Sequence, residues 1–119
     1  MNRDAWRDFP GAPPPGTVLC PAAAIPEKGV KSLDLDGFPV LLVASAEGLR
    51  AYVNACPHQY LPLDWRSPNI LSENAEILRC SNHDAGFDAA TGQGIDGLGQ
   101  GCALDPVPVT IRGDALVIG

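Results

Sequence analysis

Two short patterns constrain this chain more than anything else in it: Cys56-Pro57-His58 and, further along, Cys80-Ser81-Asn82-His83. Together they hold both histidines and two of the four cysteines. Two scarce residue types rarely coincide twice by chance, and each pair opens a long irregular segment behind a run that reads as a β-strand. A shared metal centre explains the pairing. Two thiolates and two imidazoles satisfy either tetrahedral Zn2+ or a [2Fe-2S] cluster with its cysteines on one iron and its histidines on the other. Common structural zinc sites group like ligands, two cysteines about two to four residues apart and then two histidines about three to five apart. Here each segment supplies one of each. The fold therefore has to bend two long loops toward one point and hold them still.

The remainder reads as a β scaffold. Gly and Pro number 13 and 12 in 119 residues, about a fifth of the chain against roughly an eighth on average, and they interrupt most windows that would sustain helical periodicity. Residues 1–16, with Pro10, Pro13, Pro14, Pro15, Gly11 and Gly16, favour extended polyproline-like chain and read as a flexible tail. From residue 17 to 119 one domain is expected. Thr17 to Cys20 is a first strand. Lys31 to Leu35 alternates polar with apolar, Asp36-Gly37 is a hairpin turn into Phe38 to Ala44, and Glu47-Gly48 turns the chain into Leu49 to Asn54, giving an antiparallel meander. Glu76 to Cys80 is a further strand and Phe87-Asp88 a stub. Val107 to Ile111 pairs with Ala115 to Ile118 across Arg112-Gly113-Asp114. The fold class is all-β, a small sandwich or barrel. Cys56 to Ala75 and Ser81 to Gly101 interrupt it as long irregular loops, the kind that carry function.

Charge and hydropathy exclude several functions. A net charge of −6 lacks the footprint needed to neutralise phosphates, which argues against nucleic acid and anionic membrane and suits transient docking on a basic patch of another protein. Phe38 to Ala46 is the longest uncharged apolar stretch and is far short of the roughly 18 residues of a membrane span. No apolar segment near the N-terminus reads as an export signal. A cytoplasmic location follows as the expectation, and there metal ligation or free thiol is the better reading of the cysteines than disulfide.

The C-x-H and C-x-x-H pairs resemble those of the Rieske iron–sulfur family. Further landmarks follow in the family's order: Tyr52-Val53-Asn54-Ala55 before the first pair, Pro62-Leu63-Asp64-Trp65 after it, Phe87-Asp88 with Thr91-Gly92, and Leu104-Asp105-Pro106-Val107-Pro108-Val109. The resemblance covers roughly Val18 to Gly119. It implies an antiparallel β-sandwich with a small cluster-binding subdomain and a [2Fe-2S] cofactor. Cys56 and Cys80 would ligate the buried iron, His58 and His83 the exposed one. Neutral histidines in place of thiolates leave the oxidised site roughly uncharged, so it is easier to reduce than an all-cysteine cluster. Rieske centres span about −150 to +300 mV against about −400 mV for plant-type ferredoxins. High-potential respiratory members add a loop-to-loop disulfide and two hydroxyl donors to the cluster sulfurs. At the matching positions this chain has Leu61, Asn82, Ala85 and Phe87, which implies a low-potential, ferredoxin-type cluster.

The chain also departs from the pattern. Between His58 and Cys80 lie 21 residues, more than in many compact Rieske ferredoxins, with Trp65 to Asn74 as the place of the insertion. Asp84 stands where Gly often follows the second histidine; a carboxylate there favours the charged imidazole and lowers the reduction potential. Gly97-Leu98 replaces a shielding Gly-Pro. Cys20 and Cys102 lack a histidine at ligand spacing and read as small packed hydrophobes. Gln59, Tyr60 and Leu61 are candidate caps of the first loop, and Trp65 reads as a core residue, Trp6 as part of the tail. No nucleophile with its base and no second redox cofactor is visible, so the chain is expected to be an electron-transfer protein rather than an enzyme. It would pass single electrons from a reductase to an acceptor such as a terminal oxygenase. Two alternatives stand beside this: a small or regulatory subunit of a larger oxidoreductase, like the small subunits of nitrite reductases, or a structural zinc-binding interaction module.

Overall fold

The structure, a computed structural model, describes residues 5–9, 11–35, 37–55, 63–64, 70–80, 85–97 and 103–119. In chain order its strands are β1 (Val18–Pro21), β2 (Val30–Leu35), β3 (Phe38–Ser45), β4 (Gly48–Val53), β5 (Ile77–Arg79), β6 (Ala85–Asp88), β7 (Gly94–Gly97), β8 (Val109–Arg112) and β9 (Ala115–Ile118). They pair antiparallel in three sheets, ordered β1-β9-β8, β2-β3-β4 and β5-β6-β7. Among the described residues there is no α-helix, and no helix is long and apolar enough to cross a membrane.

β3 explains the layering. Its run Phe38 to Val43 is apolar at nearly every position, because the β2-β3-β4 meander is the middle layer and is covered on both faces. Val40 and Leu42, with Ala51 and Val53 opposite them in register, face the β1-β9-β8 sheet and pack with Leu19, Leu116 and Ile118. Leu41 and Val43 point the other way and pack with Tyr52, Leu78 and Phe87 beneath the β5-β6-β7 sheet. The first interface is the sandwich; the second seats the small subdomain. β2 pairs with β3 without a slip from Val30–Val43 to Leu35–Phe38. The turn between them is fixed by the Gly37 N–H, which donates to Asp34 Oδ1 at 2.6 Å while Gly37 takes a φ of +93°. Asp36 lies outside the described residues.

Three elements differ from the sequence expectation. Phe87-Asp88 is not a stub: β6 and β7 form a hairpin, with Ala85 opposite Gly97 and an irregularity between Gly86 and Phe87. β7 is nearly featureless as sequence, since Gly94-Ile95-Asp96-Gly97 has a single apolar side chain between two glycines, and it is recognised by its backbone ladder with β6. The strand expected to start at Val107 starts at Val109, because Asp105 to Val107 runs along the free edge of β4. There the Val53 N–H donates to Asp105 O at 2.9 Å and the Val107 N–H to Ala51 O at 2.8 Å. Pro106, which has no N–H to offer, bridges Tyr52 between them.

The third difference is at the N-terminus. Within the stretch read as a tail, Ala5–Asp8 forms a 3-10 helix, and Trp6 is fully buried in the same core as Phe38 and Val53. An indole carries enough apolar surface to order the short segment that bears it, which a proline-rich composition does not reveal. Cys20 behaves as read, a free thiol buried in that core; Cys102 lies outside the described residues.

Candidate metal centre

Strand ends place the roots of the two segments expected to carry ligands. β4 stops at Val53. The next N–H, of Asn54, donates to Pro39 O at 3.0 Å, and the Ala55 N–H folds back onto Val53 O at 2.8 Å, a tight turn that takes the chain out of the sheet one residue before Cys56. The Asn54 side chain, 3% exposed, then reaches across to the far side of the loop. Its Oδ1 accepts the Leu63 N–H and its Nδ2 donates to Asp64 Oδ1, both at 2.9 Å. One buried amide with both ends used thereby ties the two sides of the first loop together at its neck. A groove of about 410 Å3 runs beside this neck, with Ser32, Asp34, Pro39, Asn54 and Asp64 among its lining residues.

The second segment is closed by its own hairpin. The Cys80 N–H donates to Ala85 O at 3.0 Å, which continues the β5–β6 ladder to the end that Cys80 occupies. Cys80 itself is 5% exposed. The ladder brings other connections to the same end. Gly97, the last residue of β7, sits opposite Ala85, so the chain enters 98–102 from there. On the other edge of β5, Leu71 bridges Leu78 and the Arg79 N–H donates to Ile70 O at 2.8 Å, so Ile70 and Leu71 join the sheet beside Cys80. The insertion noted in the sequence thus ends as an added partner for β5. Leu63, Ile70, Leu78, Cys80, Ala85 and Phe87 share one buried cluster. The neck of the first loop and the mouth of the second therefore stand on a common apolar floor.

Of the four expected ligands, Cys80 is described and lies at that floor; Cys56, His58 and His83 lie outside the described residues, as do Leu61, Asn82, Asp84 and Leu98. Among the described residues no three His, Cys, Asp or Glu side chains gather into a metal site. Tyr52, buried two positions before Asn54, donates its hydroxyl to Ala89 O at 2.8 Å. Its burial, reinforced by Asp88 and opposed by Arg50, pushes the phenol well above its ordinary range, so it stays a neutral structural donor. Asn54, Leu63 and Asp64 appear in the motif runs, yet sequence reasoning gave them no role. The one available signal was an amide two residues ahead of the first cysteine.

A family model described as the Rieske [2Fe-2S] domain matches residues 16–109. The chain belongs to that family. Its cofactor is a Rieske-type [2Fe-2S] cluster, which decides against a zinc module. Solved structures share the fold of this Rieske chain at low identity. The ferredoxin of carbazole 1,9a-dioxygenase from Nocardioides aromaticivorans IC177 superposes with a TM-score of 0.69 at 18% identity, covering 87% of this chain and 95% of its own. A chain from the complex of reduced oxygenase and oxidized ferredoxin in carbazole 1,9a-dioxygenase gives 0.68 at 13%, covering 87% and 100%. A protein described as a nitrite reductase (NADPH) small subunit gives 0.65 at 16%, covering 87% and 96%. No curated protein is a significant match in sequence.

The described residues fit the cofactor. Cys80 is buried beside Leu63, Leu78 and Ala85, and a sulfur ligand held in such apolar surroundings is screened from solvent, which is what tunes an iron–sulfur centre. The cysteine side of a Rieske centre needs such a dry floor.

Proposed function

We propose that this protein is a one-electron carrier, with Cys56 and Cys80 on the buried iron of its cluster and His58 and His83 on the exposed one. It accepts electrons from a reductase and delivers them to an acceptor such as a terminal oxygenase. The observation that carries the reading is the placement of buried Cys80 on the same floor as the closed neck of the Cys56-Pro57-His58 loop. When bound, the cluster supplies a one-electron couple. The protein's own residues do the rest. Leu63, Leu78 and Ala85 keep water from the cysteine side, while the Asn54 amide fixes where the first loop leaves and rejoins the core. Transfer itself asks for no acid, base or nucleophile, which agrees with the sequence.

The potential is read as low. A donor aimed at a cluster sulfur stabilises the reduced, more negative state, and hydroxyls are missing at two positions where respiratory members carry them. Ala85 and Phe87 are both fully buried in the apolar floor, and neither side chain carries a donor. Protein-film voltammetry should place the midpoint near the negative end of the Rieske range; a value above about +100 mV would contradict this.

For the partners, the acidic net charge of −6, with Asp34 and Asp64 beside the neck, complements a basic patch on a redox protein. The named ferredoxin neighbours belong to oxygenase systems, which supports an oxygenase as acceptor. The nitrite reductase small-subunit neighbour supports a second reading, a permanent subunit of a larger oxidoreductase. Size exclusion of the native protein distinguishes them: a carrier elutes alone, a subunit with its partner.

A further inference from the structure

The family model begins at residue 16, and the 3-10 helix Ala5–Asp8 lies ahead of it. Yet Trp6 is 0% exposed. Its ring meets Phe38 at 6.3 Å between centroids, tilted by 58°, and the Arg7 guanidinium lies over its outer side at 5.3 Å. Phe9 and Ala12, partly buried, pack against the same core. The indole Nε1 is buried without a hydrogen-bond partner. An unpaired N–H is a penalty, so what holds the ring is its shape and the cation over it, not its polar atom.

The place where it packs matters more than the packing. Phe38 opens β3, and the next residue, Pro39, supplies the carbonyl that accepts the Asn54 N–H. Val53 belongs to the core that Trp6 enters, and Ala55 packs against it. Trp6 therefore fills the core directly behind the residues from which the first ligand-bearing loop departs. If the ring is removed, Phe38 and Pro39 can relax into the space, and the Asn54 amide, which ties Leu63 and Asp64, loses its fixed base.

We propose that the segment Ala5–Phe9 is a brace for the root of the first loop, with Trp6 as a positioning residue that acts through Phe38, Pro39 and Asn54 to set the closure at Leu63 and thereby the reduction potential. The proposal rests on the reading that this loop carries Cys56 and His58 as ligands, and its test separates the two.

The experiment compares Trp6→Ala with Leu42→Ala in the full chain. Leu42 is fully buried in the same core and on the same strand, about 13 Å along it from Phe38 at the usual rise per residue. It controls for a general loss of core packing. Deuterium uptake at Leu63 and Asp64 and the voltammetric midpoint are read for each variant. Trp6→Ala should raise exchange at Leu63 about tenfold or more, the mark of local opening, and shift the midpoint. Leu42→Ala should do neither beyond its effect on global stability. Trp6→Phe, which keeps an aromatic ring and drops the unpaired N–H, should restore both. Equal exchange and equal midpoints in Trp6→Ala and Leu42→Ala would overturn the brace. Should Trp6→Ala not fold, Trp6→Leu carries the same comparison. If the native chain holds no iron–sulfur cluster, the carrier reading fails while the Leu63 exchange comparison still decides the brace.

Discussion

Tyr52 shows how tightly single residues are fitted below the cluster subdomain. It faces Gly92, which takes a φ of +80°; a Cβ there would stand 2.7 Å from Tyr52 Cε1 and 3.2 Å from Leu104 O. The hydroxyl caps Ala89 O, and burial holds the phenol protonated beyond its ordinary range. Its folded pKa lies above the unfolded value of about 10, so the associated stability is complete below about pH 10 and is lost as the pH climbs toward the folded value. Tyr52→Phe should cost about 1–3 kcal/mol at neutral pH, since the Ala89 carbonyl loses its buried donor. Denaturation midpoints of the two proteins should keep a constant gap up to about pH 10 and converge above it. A gap that stays constant through and above pH 10 would show that Tyr52 ionises as readily in the fold as in the unfolded chain.

At the scale of elements, the two loops depend on closures of different kinds. The second is a hairpin, held by the Cys80–Ala85 backbone bond. The first is held by a side chain, Asn54, and should be the more fragile. Asn54→Ala removes the acceptor that Asn54 offers the Leu63 N–H and the tie to Asp64, a loss of about 2–4 kcal/mol for one buried bond and one partly buried, charge-assisted bond. It should also speed loss of iron to a chelator followed by visible absorbance; an unchanged rate would remove Asn54 from the account of the site. The sequence shows why the β2-β3-β4 meander was legible and this closure was not. The meander announces itself through alternation in Lys31 to Leu35, the Asp36-Gly37 turn and the continuous apolar run after Phe38. The Cys and His pairs are legible because they combine rare residue types at fixed spacing. Asn54 has no periodicity to mark it, and its partners lie nine and ten residues away across a loop. β7 escaped for a related reason, being a strand made by pairing rather than by an apolar face, and Trp6 because a single buried ring leaves no pattern.

For the molecule as a whole, the middle sheet does two jobs, and its two faces keep them apart. The face carrying Val40 and Leu42 builds the sandwich; the face carrying Leu41, Val43 and Tyr52 supports the small sheet whose strand β5 ends just before Cys80. Gly and Pro serve this division by letting the chain turn at loop necks and, in Asp105 to Pro108, by lining a strand edge. The N-terminal segment ties into the sandwich core through Trp6, beside Phe38 at the start of β3. The claim on which all of this depends is that Cys56, His58, Cys80 and His83 hold a Rieske cluster. The most direct measurement is metal and sulfide analysis of the purified chain together with its EPR spectrum after reduction. Iron and acid-labile sulfide in equal amounts, with a reduced signal averaging below the free-electron g value, is the predicted result. Bound zinc with no such signal would contradict it.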